Sequence, residues 1–382
     1  MTRKSKSLTT SLIFTLAHLG QVCLSIFLSK KKDQMALCLQ NGNVFSGNCR
    51  AYFDYYQEQG GNFNLILLCR GSATRTKLIN EFPDTIVYDL YSLMGMIAFL
   101  KTPVIVISHG RFDHFPFSKM FYQTFVNLWH GIPIKTIGRK FRKIKIHWDY
   151  MIVSSQFEAR MMKQAFPKRD LEILPLGMPR MDALFNSTNQ ASPQKKIVLY
   201  VPTFRDRGSV RYFPFDDIDL KKLDEYLVQN SIEIVIKPHA NDLKSEVLLD
   251  INQCSSISIE TNREVDLQDL ILRSWCVITD YSGVYFDAVA IDKPLIFLPY
   301  DIDEYKDQRG FMFDFMENTP GPKIKSQNGL IEYFDSLTQG NDEYVTERKL
   351  IRNKFFEFQD GLASARITDL LEKVLEQSKY KT

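Results

Sequence analysis

The chain has 382 residues, 45% hydrophobic and 24% charged, with 28 Phe and 17 Tyr. That length exceeds a typical single α/β domain, and that composition excludes disorder. A net charge of +3 is too small for the concentrated basic face that binding to nucleic acid demands, so no nucleic-acid partner is expected.

Residues 1–33 read as a basic and apolar membrane-associating segment. Arg3, Lys4 and Lys6 precede the stretch Leu8 to Leu28, and Lys30, Lys31 and Lys32 follow it, a bracket suited to an anionic leaflet. Thr, Ser, His and Gln interrupt the stretch, which is too polar for a comfortable span of about 20 residues. On a helix, Leu8, Leu12, Leu16, Leu19, Cys23 and Phe27 share one side, so a helix lying in the interface is expected, with a span or an ordinary packed helix as the alternatives. No small-residue cleavage site follows, and a cleaved signal peptide is not expected. The six cysteines are scattered without a C-x-x-C pair, as buried thiols in a reducing compartment would be.

Beyond the anchor, short apolar runs alternate with helical patterns, the rhythm of parallel sheets with crossover helices. Strands are expected at Met35–Leu39, Phe63–Leu68, Thr85–Tyr88, Val104–Ile107, Phe125–Leu128, Tyr150–Val153 and Glu172–Leu174. A second set falls at Ile197–Val201, Ile232–Ile236, Ser256–Ile259, Cys276–Thr279 and Pro294–Leu298. The polar stretch Asn186–Lys196 separates the sets. The expected organisation is therefore a first Rossmann-like domain over 34–190, a second over 191–341, and C-terminal helices over 342–382, two of them separated near Gly361 and together returning to brace the first domain.

Four segments place polar residues where apolar strands end, and open α/β sheets bind ligands beyond those ends. In NLWHGIPIKTIG (127–138), His130 follows a strand, with Gly131 and Pro133 shaping a turn. An imidazole with an ordinary pKa near 6.5 can accept a hydroxyl proton at neutral pH, so His130 is the candidate general base. In IKPHAND (236–242), Lys237, Pro238 and His239 put a cation and an imidazole together, suited to phosphate oxygens or a departing nucleotide. In the segment from Ile278 to Asp301, Thr279, Asp280 and Ser282 close a strand, Gly283–Ile291 begins a helix suited to an anion, and Asp287 can accept from a polyol hydroxyl. In YVPTFRD (200–206), Pro202 and Thr203 follow a strand, and Arg205, like Arg309, offers a planar fork for a diphosphate. For each of these residues a purely structural role as cap, packing group or surface charge stays open. No Asp-x-Asp pair or histidine cluster has ligand spacing, and no metal or cofactor is expected. His18, His109, His114 and His147 join none of the four segments and read as non-catalytic.

These segments resemble the CDP-glycerol glycerophosphotransferases of teichoic-acid and capsule synthesis: WHGIPIKTIG, YVPTFRD, ITDYSGVYFD, KPLIFLPYDIDEYKDQRG and the earlier NGNVFSGNCRAYFDYY all match in type and order. The resemblance implies a GT-B fold, α/β with two Rossmann-like doubly wound domains facing a cleft and an N-terminal membrane-associating helix. It implies an enzyme peripheral to the cytoplasmic face of a bacterial membrane. CDP-glycerol would be the donor, CMP would leave in an inverting displacement at phosphorus, and a hydroxyl of a lipid-linked or saccharide acceptor would receive the glycerol phosphate. His130 and His239 take the two essential histidine places. Gly131, Ile132, Pro133, Ile134, Lys135, Arg180, Pro202, Thr203, Arg205, Lys237, Pro238, Thr279, Asp280, Ser282, Gly283, Asp287 and Arg309 form the substrate-binding set, most of them at positions where the family contacts CDP-glycerol. Gly283 departs from the family, which usually has a second Ser there. No extra catalytic domain precedes the core, which argues against a bifunctional capsule polymerase, and the compact length resembles members that add a single unit. The rival readings are a CDP-ribitol or other CDP-polyol transferase, a GT-B glycosyltransferase using a nucleotide sugar, and a catalytically dead nucleotide-binding module at the membrane.

Overall fold

The computed structural model describes residues 18–39, 43–109, 119–138, 146–187, 196–205, 210–238, 251, 254–262 and 265–380. Twelve strands occur among them: β1 (Gln34–Cys38), β2 (Asn64–Cys69), β3 (Val87–Asp89), β4 (Val104–Ile107), β5 (Thr124–Asn127), β6 (Tyr150–Ile152), β7 (Glu172–Leu174), β8 (Lys196–Val201), β9 (Ile232–Ile236), β10 (Ile257–Ile259), β11 (Cys276–Thr279) and β12 (Leu295–Phe297). Each apolar run picked out in the sequence is a strand, displaced at most two residues at either end, because β-branched runs buried on both faces are what a covered parallel sheet requires.

The strands form two parallel sheets. One has the order β3-β2-β1-β4-β5-β6-β7 and the other β10-β9-β8-β11-β12. Both reverse direction of winding between their first strand and its neighbour, at β1/β4 and β8/β11, and at such a switch point the loops diverge and leave a crevice. The chain is of the doubly wound, GT-B class. It divides into two compact units, one of Met1–Gly131, Lys143–Asp182 and Leu362–Thr382 and the other of Ile132–Arg142 with Ala183–Gly361. The chain thus leaves the first unit between Gly131 and Ile132, inside the WHGIPIK segment.

The last helix, Ala363–Ser378, belongs to the first unit. Its Ile367 and Leu371 are fully buried in the core built on Leu37, Phe53, Leu67 and Val106. The Asp182 carboxylate caps its start, accepting from Ala363 N and Ser364 N at 2.8 Å each, where the helix leaves N–H groups without intrahelical partners. The helix before it, Val345–Phe355, packs in the second unit. Its Arg348, 2% exposed, is held between Asp292 and Asp342.

Residues 18–27 are helical, and the helix is inside out for a soluble protein. Gln21 and Ser25 are buried at 4% exposure each, while Leu19, Ile26 and Phe27 are 53%, 72% and 84% exposed. Leu19, Cys23 and Phe27, expected on one apolar side, all face away from the protein; Leu8, Leu12 and Leu16 lie outside the described residues. Among the described residues no helix is long and apolar enough to cross a membrane.

Candidate active site

In the first unit the site grows from the carboxyl ends of β4 and β5. Strand β5 ends at Asn127, and Trp129 then takes φ = 53°, a left-handed conformation that costs a residue with a Cβ about 1–3 kcal/mol. Two buried asparagines hold it. Asn127 Oδ1 accepts from Trp129 N at 2.9 Å, and Asn48 Nδ2 donates to Leu128 O and Trp129 O at 3.0 Å each. The turn so fixed presents His130, whose ring stacks on Trp129 with centroids 4.4 Å apart. Gly131 follows at φ = 143°, a region that favours glycine. A Cβ there would stand 3.4 Å from Arg180 Nη2, so the guanidinium lies against the turn.

The same two asparagines reach the neighbouring groups. Asn48 Oδ1 accepts from Arg180 N at 3.2 Å, and Asn127 Nδ2 donates to His109 O at 3.0 Å. His109, set aside on sequence, is at the end of β4 with its ring 5.0 Å from that of His130 and its Nδ1 2.8 Å from Ser108 Oγ. Its partner β5 was legible and its own position was not, since a lone histidine in front of a glycine carries no signal of what the adjacent strand brings to it. Asn48 was legible only within the longer NGNVFSGNCRAYFDYY match.

The electrostatics keep both imidazoles neutral. His130 is exposed at the residue level, yet protein packed around its ring takes water from it, and this, with His109 and Arg180 alongside, lowers its pKa from 6.5 to about 3. Burial lowers that of His109 to about 4. Behind them Glu158 is fully buried. Its Oε2 accepts from Ser154 N and Ser154 Oγ at 2.7 Å, and its Oε1 has no hydrogen-bond partner. Burial raises its pKa to about 7 against the pull of the Ser154 donors and of Arg180.

In the second unit the predicted residues converge on the β8/β11 switch point. Asp280 accepts from Thr203 N at 2.8 Å and Tyr281 N at 2.6 Å and pairs with Arg205 Nη2 at 2.9 Å. Arg205 is only 7% exposed. It is gripped on its other side by Asp301, at 2.7 and 3.0 Å, donates to Thr203 O at 2.6 Å, and lies within 5.3 Å of the rings of Tyr281, Tyr300 and Tyr305. Burial alone would lower its pKa; Asp280 and Asp301 outweigh that and hold it above its ordinary value. The open fork expected at Arg205 is therefore filled by the protein's own carboxylates, and its role in this conformation is to fix the two strand ends. Thr203 Oγ1 is buried beside the Asp280 carboxylate.

Thr279 and Asp287 are also turned inward. Thr279 Oγ1 donates to Val201 O at 2.7 Å, and Asp287 is 1% exposed within a helix, Val284–Ala290, of seven residues. Ser282 is half-buried and its Oγ accepts from Val284 N at 3.4 Å. Pro202 and Pro238 are buried, and Lys237 is half-buried with its ammonium donating to Asn262 O. His239 lies outside the described residues, as does His114.

The stretch Ile132–Lys135 enters this unit as a strap. Met312 N donates to Ile134 O at 2.8 Å and Thr136 N to Gly310 O at 3.2 Å, Lys135 bridges Phe311, and Ile132, Pro133 and Ile134 are buried. The strap accounts for Gly283: a Cβ there would come to 3.2 Å from Ile132 O, so the side chain of a serine would press on the backbone. Arg309 is half-buried one residue before Gly310. Among the described residues no group of three or more His, Cys, Asp or Glu is placed to hold a metal ion.

Two doubly wound parallel sheets with polar residues at their strand ends define a class of fold. The family is then fixed by comparison: residues 21–373 match the model of the CDP-glycerol:poly(glycerophosphate) glycerophosphotransferases, and the chain belongs to that family. It is 30% identical over 288 residues to a teichoic acid poly(glycerol phosphate) polymerase of Staphylococcus epidermidis, covering 67% of this chain and 39% of that protein. It is 28% identical over 283 residues to a teichoic acid glycerol-phosphate transferase of Staphylococcus aureus, covering 65% and 71%. The chain thus spans about two fifths of the first relative's length. Among solved structures, the wall teichoic acid polymerase TagF superposes with a TM-score of 0.73 at 23% identity over 97% of this chain and 98% of that one, a likeness of fold.

Proposed function

We propose that this protein transfers glycerol phosphate from CDP-glycerol to a hydroxyl of a teichoic-acid acceptor, lipid-linked or saccharide, and releases CMP. The acceptor oxygen forms the new P–O bond as the bond from that phosphorus to CMP breaks, and the hydroxyl proton passes to His130. The observation that carries this reading is a neutral, partly open imidazole at the end of β5 with the Arg180 guanidinium against the same turn, in a chain of this family. Neutrality makes the ring a ready acceptor at physiological pH, though a weak base alone. A bound diphosphate adds negative charge that offsets Arg180 and raises the ring's basicity when the donor is present.

In this reading Thr203 Oγ1, the backbone around Ser282 and Gly283, Lys237 and Arg309 take the CDP moiety, and His239 assists departure of CMP. Arg205 and Asp280 hold the strand ends that present those groups. The open apolar helix face, with Lys30, Lys31 and Lys32 after it, supports reading the enzyme as working on the anionic cytoplasmic leaflet, where a lipid-linked acceptor is reached.

The test is CMP release from purified full-length protein given CDP-glycerol and a membrane lipid extract, with the product identified by mass. His130→Ala should abolish release with an unchanged melting temperature; wild-type turnover in that variant would refute the role of His130. CDP-ribitol run in parallel decides the donor, and turnover of CDP-ribitol alone would overturn glycerol.

A further inference from the structure

At the foot of the helix over residues 18–27 lies a cavity of about 290 Å³. Three parts of the first unit build it: the end of that helix, the loop carrying Phe121 and Tyr122, and the end of the C-terminal helix. Its walls are Ile26, Leu28, Pro103, Phe121 and Tyr122. The polar groups among its lining already have partners. Ser25 Oγ donates to Val22 O at 2.8 Å, Ser378 Oγ to Leu375 O at 2.6 Å, and Tyr122 Oη to Leu100 O at 2.6 Å. Lys30 Nζ donates to Ser25 O at 2.6 Å and lies 4.0 Å over the Tyr122 ring, its charge partly desolvated. An occupant offering hydrogen-bonding atoms along its length would find few to meet there, whereas a hydrocarbon chain gives up nothing.

The surroundings say which hydrocarbon. Lys32, exposed, and Lys379, half-buried, line the cavity, Lys31 is exposed next to Lys32 in the chain, and Lys379 also pairs with the exposed Glu376 at 2.5 Å. Of its walls Ile26 and Phe121 are 72% and 79% exposed, and Phe27 and Tyr380, next in the chain to lining residues, are 84% and 80% exposed. Apolar depth, a cationic mouth and an exposed aromatic surround complement a molecule with an anionic head and an apolar tail. We propose that this cavity receives one acyl chain of an anionic phospholipid, whose phosphate is held at the mouth by Lys32 and Lys379. This deepens the membrane placement proposed above and rests on it: the helix face gives area on the leaflet, and the cavity adds selection of a single lipid.

The two ideas are separated by two readouts on the full chain. Flotation with phosphatidylcholine vesicles, with and without phosphatidylglycerol, reports membrane binding. Titration with dihexanoyl phosphatidylglycerol below its micelle concentration, against dihexanoyl phosphatidylcholine and farnesyl phosphate, reports the cavity. Ser378→Trp fills the cavity and should weaken monomeric phosphatidylglycerol at least tenfold while vesicle binding persists. Lys32→Glu with Lys379→Glu reverses the charge at the cavity without filling it and should remove the preference for phosphatidylglycerol over phosphatidylcholine even where the tryptophan variant folds poorly. Leu19→Ser with Phe27→Ser should lose vesicles and keep the monomeric lipid; loss of vesicle binding in no variant would instead tell against the membrane placement. Absence of saturable binding of the monomeric lipid, binding and selectivity in both cavity variants unchanged from those of the native chain, or selective binding of farnesyl phosphate would overturn the proposal.

Discussion

Asn48 is the residue through which the geometry of the first unit is most open to test. It is 1% exposed, and its amide makes three hydrogen bonds to backbone: to Leu128 O, to Trp129 O and from Arg180 N. Asn48→Ala strips partners from three buried groups. Each orphaned group costs about 1–3 kcal/mol, and water admitted to the space returns part of that, so a net loss of about 2–4 kcal/mol is expected. At roughly 2–4 °C per kcal/mol for a domain of this size, the melting temperature should fall by about 5–15 °C. Relaxation of the Trp129 turn also lets His130 drift, and a displacement of about 1 Å costs a reacting group on the order of a hundredfold. The expectation is a drop in kcat of about that size in CMP release, at a temperature where the variant is folded, with little change in KM. Asn48→Asp keeps the acceptor for Arg180 N but turns a carboxylate oxygen on Leu128 O and Trp129 O in a buried place, so it should lose kcat and at least as much stability as Asn48→Ala. A variant with lowered melting temperature and wild-type kcat would show that the asparagine only stiffens the core, and the positioning argument would fail.

Other outcomes follow from the same geometry. Arg205→Met leaves Asp280 and Asp301 without their cation in a buried place and should destabilise the second unit by about 3–5 kcal/mol in denaturant unfolding; an effect below 1 kcal/mol would mean that the cluster is already hydrated. Gly131→Ala forces a Cβ into the left-handed region beside Arg180 and should reduce CMP release more than tenfold with a melting-temperature change of only a few degrees, checked by steady-state kinetics beside thermal unfolding. The pH dependence of stability has a defined sign. His109 and His130 titrate below 6.5 in the fold, at about 4 and about 3, so the unfolded chain takes up their protons first and stability is lost as pH falls below about 6.5. Glu158, raised to about 7, works the other way, its contribution being present at low pH and lost as pH rises from its unfolded value of 4.5 through 7. Glu158→Gln should therefore steepen the acid loss between pH 4.5 and 6.5 in urea melts, and His109→Asn should flatten it; the reverse ordering would contradict both assignments.

The alternation of apolar runs determined the two sheets, because a strand buried on both faces has to be continuously apolar, and that requirement is local. The motif segments were legible for a related reason. A polar residue directly after such a run can only stand at a strand end, so His130, Thr203, Asp280 and Ser282 were placed beyond their strands by position alone. Composition and the basic bracket around Leu8 to Leu28 led to the expectation of an interfacial helix; in its described part Leu19, Ile26 and Phe27 are exposed.

What a one-dimensional pattern does not carry is which strand ends become neighbours and which charges meet across them. His109 was passed over because its relation to His130 comes from the pairing of β4 with β5, a contact across 21 positions of chain. Arg205 looked like an open fork because Asp301, which fills it, is 96 positions away. Asn48 reaches Arg180 across 132 positions, and the chain changes units inside WHGIPIK, between Gly131 and Ile132. The sequence by itself determined the elements, the family and the residues available for chemistry. Only the tertiary structure decided which of those residues are held neutral, which are paired and which stay open, since pairing and desolvation depend on groups that the fold brings together from distant parts of the chain.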